Sequence, residues 1–166
     1  MAATVIIQEW TTTGVRTDKT SGTVRFKNAN NATVDLLNPI VKPTTGGGED
    51  ISFEKILRLN VTSSSTSFAQ IDNIKMYSDG ANGMGAGVTV LTKSASTYTV
   101  PIEPGTTAGY TDLFTFISTA DLALSTGVFA DTGVIGDWSR TILRATTAAS
   151  GGITPGETVT FSYDEI

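Results

Sequence analysis

The sequence predicts an all-β fold, a sandwich or barrel of short strands, and three observations predict it. Apolar residues alternate with threonine and serine along much of the chain, which is the period of a strand with one buried face. The charged fraction is only 16%, against the usual ~25%. Threonine and serine fill the polar positions that helical surfaces give to Glu, Lys, Gln and Arg. Clusters of Gly, Pro and Asn interrupt the apolar runs at the short spacing of a sandwich or barrel. With 166 residues, one domain can bury roughly 70% of its unfolded surface without disulfide or metal support.

Taken in order, Thr4–Trp10 is expected as a first strand, rich in Val and Ile, and Thr11–Ser21 as a loop or arm. Gly22–Asn28 alternates cleanly, with Val24 and Phe26 on one parity, and predicts a second strand. Asn28-Ala-Asn-Asn31 is turn chemistry, because Asn tolerates the left-handed region. Thr33–Leu37 suits a short strand, after which Pro39 and Pro43 break regularity. Thr44–Asp50 holds three consecutive glycines and is expected to be mobile. Ser52–Thr62 carries the clearest strand pattern, with Leu57, Leu59 and Val61 opposite Arg58, Asn60 and Thr62. Phe68–Tyr77 follows, and its parity change at Asp72-Asn73 predicts a β-bulge.

Ser78–Gly87 is a glycine-rich loop. Val88–Thr92 and Thr97–Ile102 look like a hairpin, with Pro101 at a strand end or edge. Pro104-Gly105 is a turn. Leu113–Ile117 is expected as a strand, although Asp112-Leu-Phe also suits the start of a helical turn. Ala120–Ser125 is the best place for a short helix. Trp138–Thr146 is a long strand candidate, and Pro155-Gly156 turns the chain into Glu157–Tyr163. The whole is read as a single domain over residues 1–166, in which 1–21 is an extended N-terminal arm or an edge strand.

Composition narrows the chemistry. The chain has no histidine and no cysteine, so neither a Ser-His-Asp triad nor a Cys-His pair can be built, and imidazole or thiolate metal sites are lost with them. The net charge is −5, with basic residues scattered singly, which is unsuited to a phosphate backbone. Met1–Trp10 has no basic stretch before its short apolar run, so no secretory signal is expected. No run approaches the ~20 apolar residues of a membrane span.

The remaining motifs are each better read as structure. Glu49-Asp50 and Asp164-Glu165 are carboxylate pairs of a kind glycosidases use, but a loop and a terminus explain them more simply. The loop Asp79–Gly87 lacks the Gly-Lys-Ser/Thr of a phosphate cradle and the acidic spacing of a calcium loop, leaving a connection or a partner-contacting tip. Asn31-Ala-Thr and Asn60-Val-Thr match the glycosylation pattern in a chain where threonine is common. Trp10 and Trp138 are expected in the core, and the Thr/Ser faces in solvent. No catalytic, cofactor-binding or metal-binding residue, and no cofactor, is expected.

Phe53-Glu-Lys-Ile-Leu-Arg-Leu-Asn-Val-Thr62 followed by Phe68-Ala-Gln-Ile-Asp-Asn-Ile-Lys-Met-Tyr-Ser-Asp-Gly80 resembles a segment of small structural proteins of tailed bacteriophages. There, a Leu-Arg-Leu-x-Val-Thr strand precedes an Ile-x-Asn-Ile/Leu-Lys/Arg-apolar-Tyr strand. Ile153-Thr-Pro-Gly-Glu-Thr-Val-Thr-Phe161 is similar to the last-strand entry of immunoglobulin-like sandwiches. The resemblance implies an immunoglobulin-like or jelly-roll β-sandwich of about eight to nine short antiparallel strands, with at most one short helix near 120–125. It also implies a non-enzymatic virion protein, made in the host cytoplasm. The expected role is capsid decoration (cement), gripping the major capsid protein or other virion subunits as a homo-trimer or dimer, without direct nucleic-acid or membrane contact. A neck, tail or fibre-base component is the nearest alternative, and a carbohydrate-binding or adhesin sandwich the next. Arm-like residues 1–21 or the Gly46–Asp50 loop would reach the neighbouring subunit.

Overall fold

The computed structural model describes residues 3–63, 70–125, 128, 132–152 and 156–166. Ten strands are found among them: β1 (Thr4–Thr12), β2 (Val15–Asp18), β3 (Glu49–Ile51), β4 (Lys55–Ser63), β5 (Ile71–Tyr77), β6 (Val88–Ala95), β7 (Thr111–Asp112), β8 (Leu122–Ala123), β9 (Gly133–Thr146) and β10 (Thr160–Glu165). Seven form one sheet in the order β2-β1-β4-β9-β6-β7, with β3 paired to the far end of β9. Three form a second sheet, β10-β5-β8. Every pairing is antiparallel. The expected all-β sandwich is the observed architecture.

Strand alternation builds the core between the sheets. Leu59 and Val61 of β4, Val88 and Val90 of β6, and Ile135 and Leu143 of β9 meet Ile71, Ile74 and Met76 of β5 in one buried cluster. Three hydroxyl residues share that inner face. Thr92, Ser139 and Thr141 are buried, and Thr92 Oγ1 lies 3.0 Å from Thr141 Oγ1. These hydroxyls satisfy one another, so part of the Thr/Ser pattern expected in solvent lies inside.

The bulge predicted at Asp72-Asn73 is present. Ser162 pairs with Lys75 but Asp164 with Asp72, so β5 carries one extra residue against β10. Asn73 absorbs it at φ 53°. A larger irregularity sits in β9, where Leu57 pairs with Ser139 but Leu59 with Ile135. Gly136 takes φ 71° there, and a Cβ on it would meet the Leu124 carbonyl at 2.7 Å.

Several local expectations are corrected. Residues 11–18, expected as a loop or arm, turn at Gly14 (φ 81°) into β2, so that of the arm or edge strand expected over 1–21 the edge strand is found, in a hairpin with β1. Gly22–Asn28 and Thr33–Leu37 form no ladder; they run as irregular chain across the inner face of the large sheet. Phe26 packs partly buried against the core, and Val24 lines the groove beside it. Thr97–Ile102 is not the second arm of a hairpin. It crosses the outer face of the same sheet, held by the Tyr98 ring and by Glu54 N–H to Ile102 O at 2.9 Å. Leu113–Thr115 is a 3₁₀ turn capped by Asp112, whose Oδ1 accepts from Phe114 N at 3.0 Å. Ala120–Ser125 is not helical. Leu122 and Ala123 pair with Met76 and Lys75, and Leu124 N donates to Ile74 O. The turn at Pro155 and the start of the Phe68–Tyr77 strand lie partly outside the described residues.

Candidate protein-binding surface

The small sheet covers only part of the large one. The rest of the inner face is crossed by the irregular chain over residues 19–43, and charge fixes that chain in place. Lys55 begins β4 with its side chain on the inner face, two residues before Leu57, which pairs with Glu9 of β1. Lys55 Nζ donates to Glu9 Oε1 at 2.9 Å and to Asn31 O at 2.7 Å. Lys19 Nζ lies 3.4 Å from Glu9 Oε2 and donates to the carbonyls of Thr23 and Ala32. Lys27, fully buried, donates to Asn31 Oδ1 and to Asp35 Oδ1 at 2.8 Å. Burial pushes Lys55 below its ordinary value, against the pull of Glu9. Lys19 and Lys55 thus tie the carbonyls of Thr23, Asn31 and Ala32 to Glu9 on the sheet, and Lys27 ties Asn31 and Asp35 together within the segment, since a buried charge left unpaired is costly.

Those anchors present an apolar ridge. Val34, Leu36, Leu37 and Val41 are 52%, 65%, 68% and 63% exposed. The backbone around them is tied down on both sides. Leu37 N donates to Asp35 Oδ1, Asn28 N to Asn38 O, and Val41 N to Asp50 Oδ2. The bond from Lys27, followed by that from Leu37 N–H, holds the Asp35 carboxyl below its ordinary value. Asn38 makes the turn at φ 52°. Four large aliphatic side chains exposed within residues 34–41 of a tied-down stretch are a candidate interaction surface.

Beside the ridge lies a groove of about 740 Å³. Its floor is the inner face of the large sheet, including Ile7, Leu57 and Leu143; β10 and the residues before it (Thr158, Val159, Phe161) form one wall. The other wall is the irregular chain, through Val24, Phe26 and Ile40. Arg25 and Lys42 also line it.

The outer face buries an aromatic cluster and an ion pair. Trp10 and Trp138 meet edge to face at 4.6 Å, with Tyr98 at 5.0 Å from Trp138, so both tryptophans are core as expected. Arg58 lies over Trp138 and donates to Gly136 O at 2.7 Å. Next to this cluster Glu54 accepts from Arg140 Nε at 2.9 Å, and also from Arg140 Nη2 and the Tyr110 hydroxyl. Burial works to raise the Glu54 pKa, but the Arg140 and Tyr110 bonds outweigh it and hold the carboxyl below its ordinary value. Burial and the Glu54 bond together push the Tyr110 phenol up.

The carboxylate pairs are engaged in structural bonds. Asp50 accepts from Val41 N and Asn28 Nδ2, and Glu49 lies 3.8 Å from Arg144. Asp164 accepts from Asn73 Nδ2 and Glu165 from Ala3 N. In the 79–87 loop, Asp79 and Asn82 each accept from the backbone N–H two residues on. Asn31 is taken up by Lys27, and Asn60 lies in β4 between β1 and β9. Among the described residues no group of three or more acidic side chains is placed to hold a metal ion, and no helix is long and apolar enough to cross a membrane. The ridge and the buried lysines were not legible as functional residues. The one signal was Leu36-Leu37 between Thr33 and Pro39, since adjacent leucines cannot share a strand face. Comparison of the chain with protein-family models, curated proteins and solved structures finds no match.

Proposed function

We propose that this chain is a non-enzymatic structural protein of a tailed-phage virion, a capsid decoration protein that binds the major capsid protein and stabilises the head. The observation that carries a protein-binding role is the exposed ridge Val34, Leu36, Leu37 and Val41 on a segment pinned by buried lysines. A rigid apolar surface loses little conformational entropy on docking, so more of its burial goes into affinity. The virion assignment rests on the resemblance carried by Phe53–Thr62 and Phe68–Gly80. Residues 4–18 are built into the large sheet, so the reach to a neighbour is assigned to the ridge instead of an N-terminal arm.

The test is to image intact particles whose genome encodes this chain and to count its copies. Decoration predicts a fixed number on the head, with the ridge facing the capsid shell. Copies confined to the neck or tail would move the chain to those structures, and absence from the particle would refute the virion reading.

A further inference from the structure

The glycine-rich loop between β5 and β6 holds the pair Asn82-Gly83, and Asn82 is the one asparagine of the chain followed by glycine. An asparagine side chain can be attacked by the backbone nitrogen of the next residue, and glycine opposes that approach least because it has no side chain. The other asparagines are poorer sites. Asn38 precedes Pro39, whose nitrogen carries no proton. Asn60 and Asn73 lie in β4 and β5 and precede the β-branched Val61 and Ile74. Asn28, Asn30 and Asn31 each precede a residue with a Cβ in the way.

The fold leaves the attacking nitrogen free and grips the amide it would attack. Asn82 and Gly83 are both exposed, and Gly83 N–H makes no hydrogen bond among the described residues. Met84 N donates to Asn82 Oδ1 at 3.0 Å. The ring closed by that bond contains both Asn82 Cγ and Gly83 N, so one small turn holds the two reacting atoms. The same bond polarises the carbonyl under attack and supports the negative oxygen that develops on it. Packing also fixes glycine at 83, since Glu157 Oε1 lies where a Cβ would stand. Asn82 Nδ2 in turn donates to Val88 O at 2.9 Å, at the start of β6. That bond ties the middle of the loop to the large sheet, and the loop carries Met84 into the groove wall.

We propose that Asn82 is a modification site, where spontaneous deamidation converts the amide to aspartate and isoaspartate and unties the loop from β6. Gly83 N loses its proton to hydroxide and attacks Asn82 Cγ. The N–Cγ bond forms, the Cγ–Nδ2 bond breaks, and the amine leaves as ammonia with a proton from water. A second water then opens the succinimide at either carbonyl, so the net change consumes one water and releases one ammonia. Opening one way gives aspartate, which presents an oxygen to Val88 O where the amide presented a hydrogen. Opening the other way gives isoaspartate, whose longer backbone breaks up the turn. Either product adds a negative charge next to the contact between Gly83 and Glu157.

The experiment is to age the full folded chain in mildly acidic and mildly alkaline buffer and map its peptides by mass spectrometry, with enzymatic methylation of isoaspartate as a second readout. Asn82 is expected to deamidate at least about tenfold faster than any other asparagine. Both products should be present, and the rate should rise with pH because the attacking nitrogen must lose a proton. The Asn82→Gln chain, whose amide would have to close a larger ring, is expected to stay intact over the same period. Hydrogen exchange then reads the loop at Val88 N–H, which donates to Gly85 O at 3.3 Å. Exchange there is expected to quicken in the aged chain and in Asn82→Asp, with both still melting cooperatively. Modification of other asparagines before Asn82, or aspartate without isoaspartate, would overturn the site. Unchanged exchange at Val88 N–H in the modified chain would overturn the untying of the loop.

Discussion

The two faces of the large sheet are both covered by irregular chain, and the two covers differ in what they finish. Over the outer face, residues 96–110 set Tyr98 against Trp10 and Trp138 and bring Thr99 and Tyr110 to the Glu54–Arg140 pair. The buried charge and the aromatic cluster are closed there, although Val100 and Ile102 stay 48% and 55% exposed. Over the inner face, residues 19–43 satisfy their charges on Glu9 and Asp35 but leave four large aliphatic side chains outside and a groove beneath. A cover that seals an aromatic cluster and a buried ion pair beneath it serves stability, whereas one that is tied down yet carries four exposed aliphatic side chains beside a groove is built for a partner.

If that contrast is right, substitutions should separate stability from association. The largest stability effect is expected from Glu54→Ala, which leaves Arg140 buried without its carboxylate. A loss of about 3–5 kcal/mol in urea unfolding is predicted; a loss below about 1 kcal/mol would break the claim that this cover holds the fold. The same pair sets an acid response. The folded-state pKa of Glu54 is lowered from 4.5, so its contribution is full above that value and is lost as pH falls through the lowered one. A Glu54→Gln variant should therefore show a flatter stability profile below pH 4.5 than the wild type, and parallel profiles would contradict the pairing.

A smaller effect is predicted for Lys27→Met. Asp35 is 30% exposed, so its carboxylate can turn to water, and the expected cost is about 1–2 kcal/mol. The sharper readout is amide exchange at Leu37, whose N–H is bonded to Asp35. Exchange there should quicken more than in β4, and unchanged exchange would mean that the lysine does not hold the ridge. The smallest effect belongs to Leu37→Asp. The side chain is mostly in solvent, so stability should stay within about 0.5 kcal/mol of wild type while association falls.

How much of this was legible depends on what each letter encodes. The strand over 52–62 and the bulge at Asn73 were readable because side-chain parity reports directly on which face is buried. Gly22–Asn28 has the same parity signal for a different reason. Phe26 packs against the core without joining a ladder, and Lys27 of the other parity is buried as well; alternation does not distinguish such a segment from a strand. Ala120–Ser125 was misread because Leu122 and Leu124 are too few to separate a short strand from a helical turn. Lys19, Lys27 and Lys55 look like surface residues in the sequence. Their burial follows from Glu9, Asn31 and Asp35 meeting only in the folded chain.

The central claim is that the inner cover is the docking face and the outer cover is structural. The most direct test is to count copies of the L36D/L37D chain on intact particles, with its melting temperature measured beside the wild type. Unchanged melting with occupancy reduced to a small fraction is the predicted result. Full occupancy by a normally melting L36D/L37D chain would contradict the account.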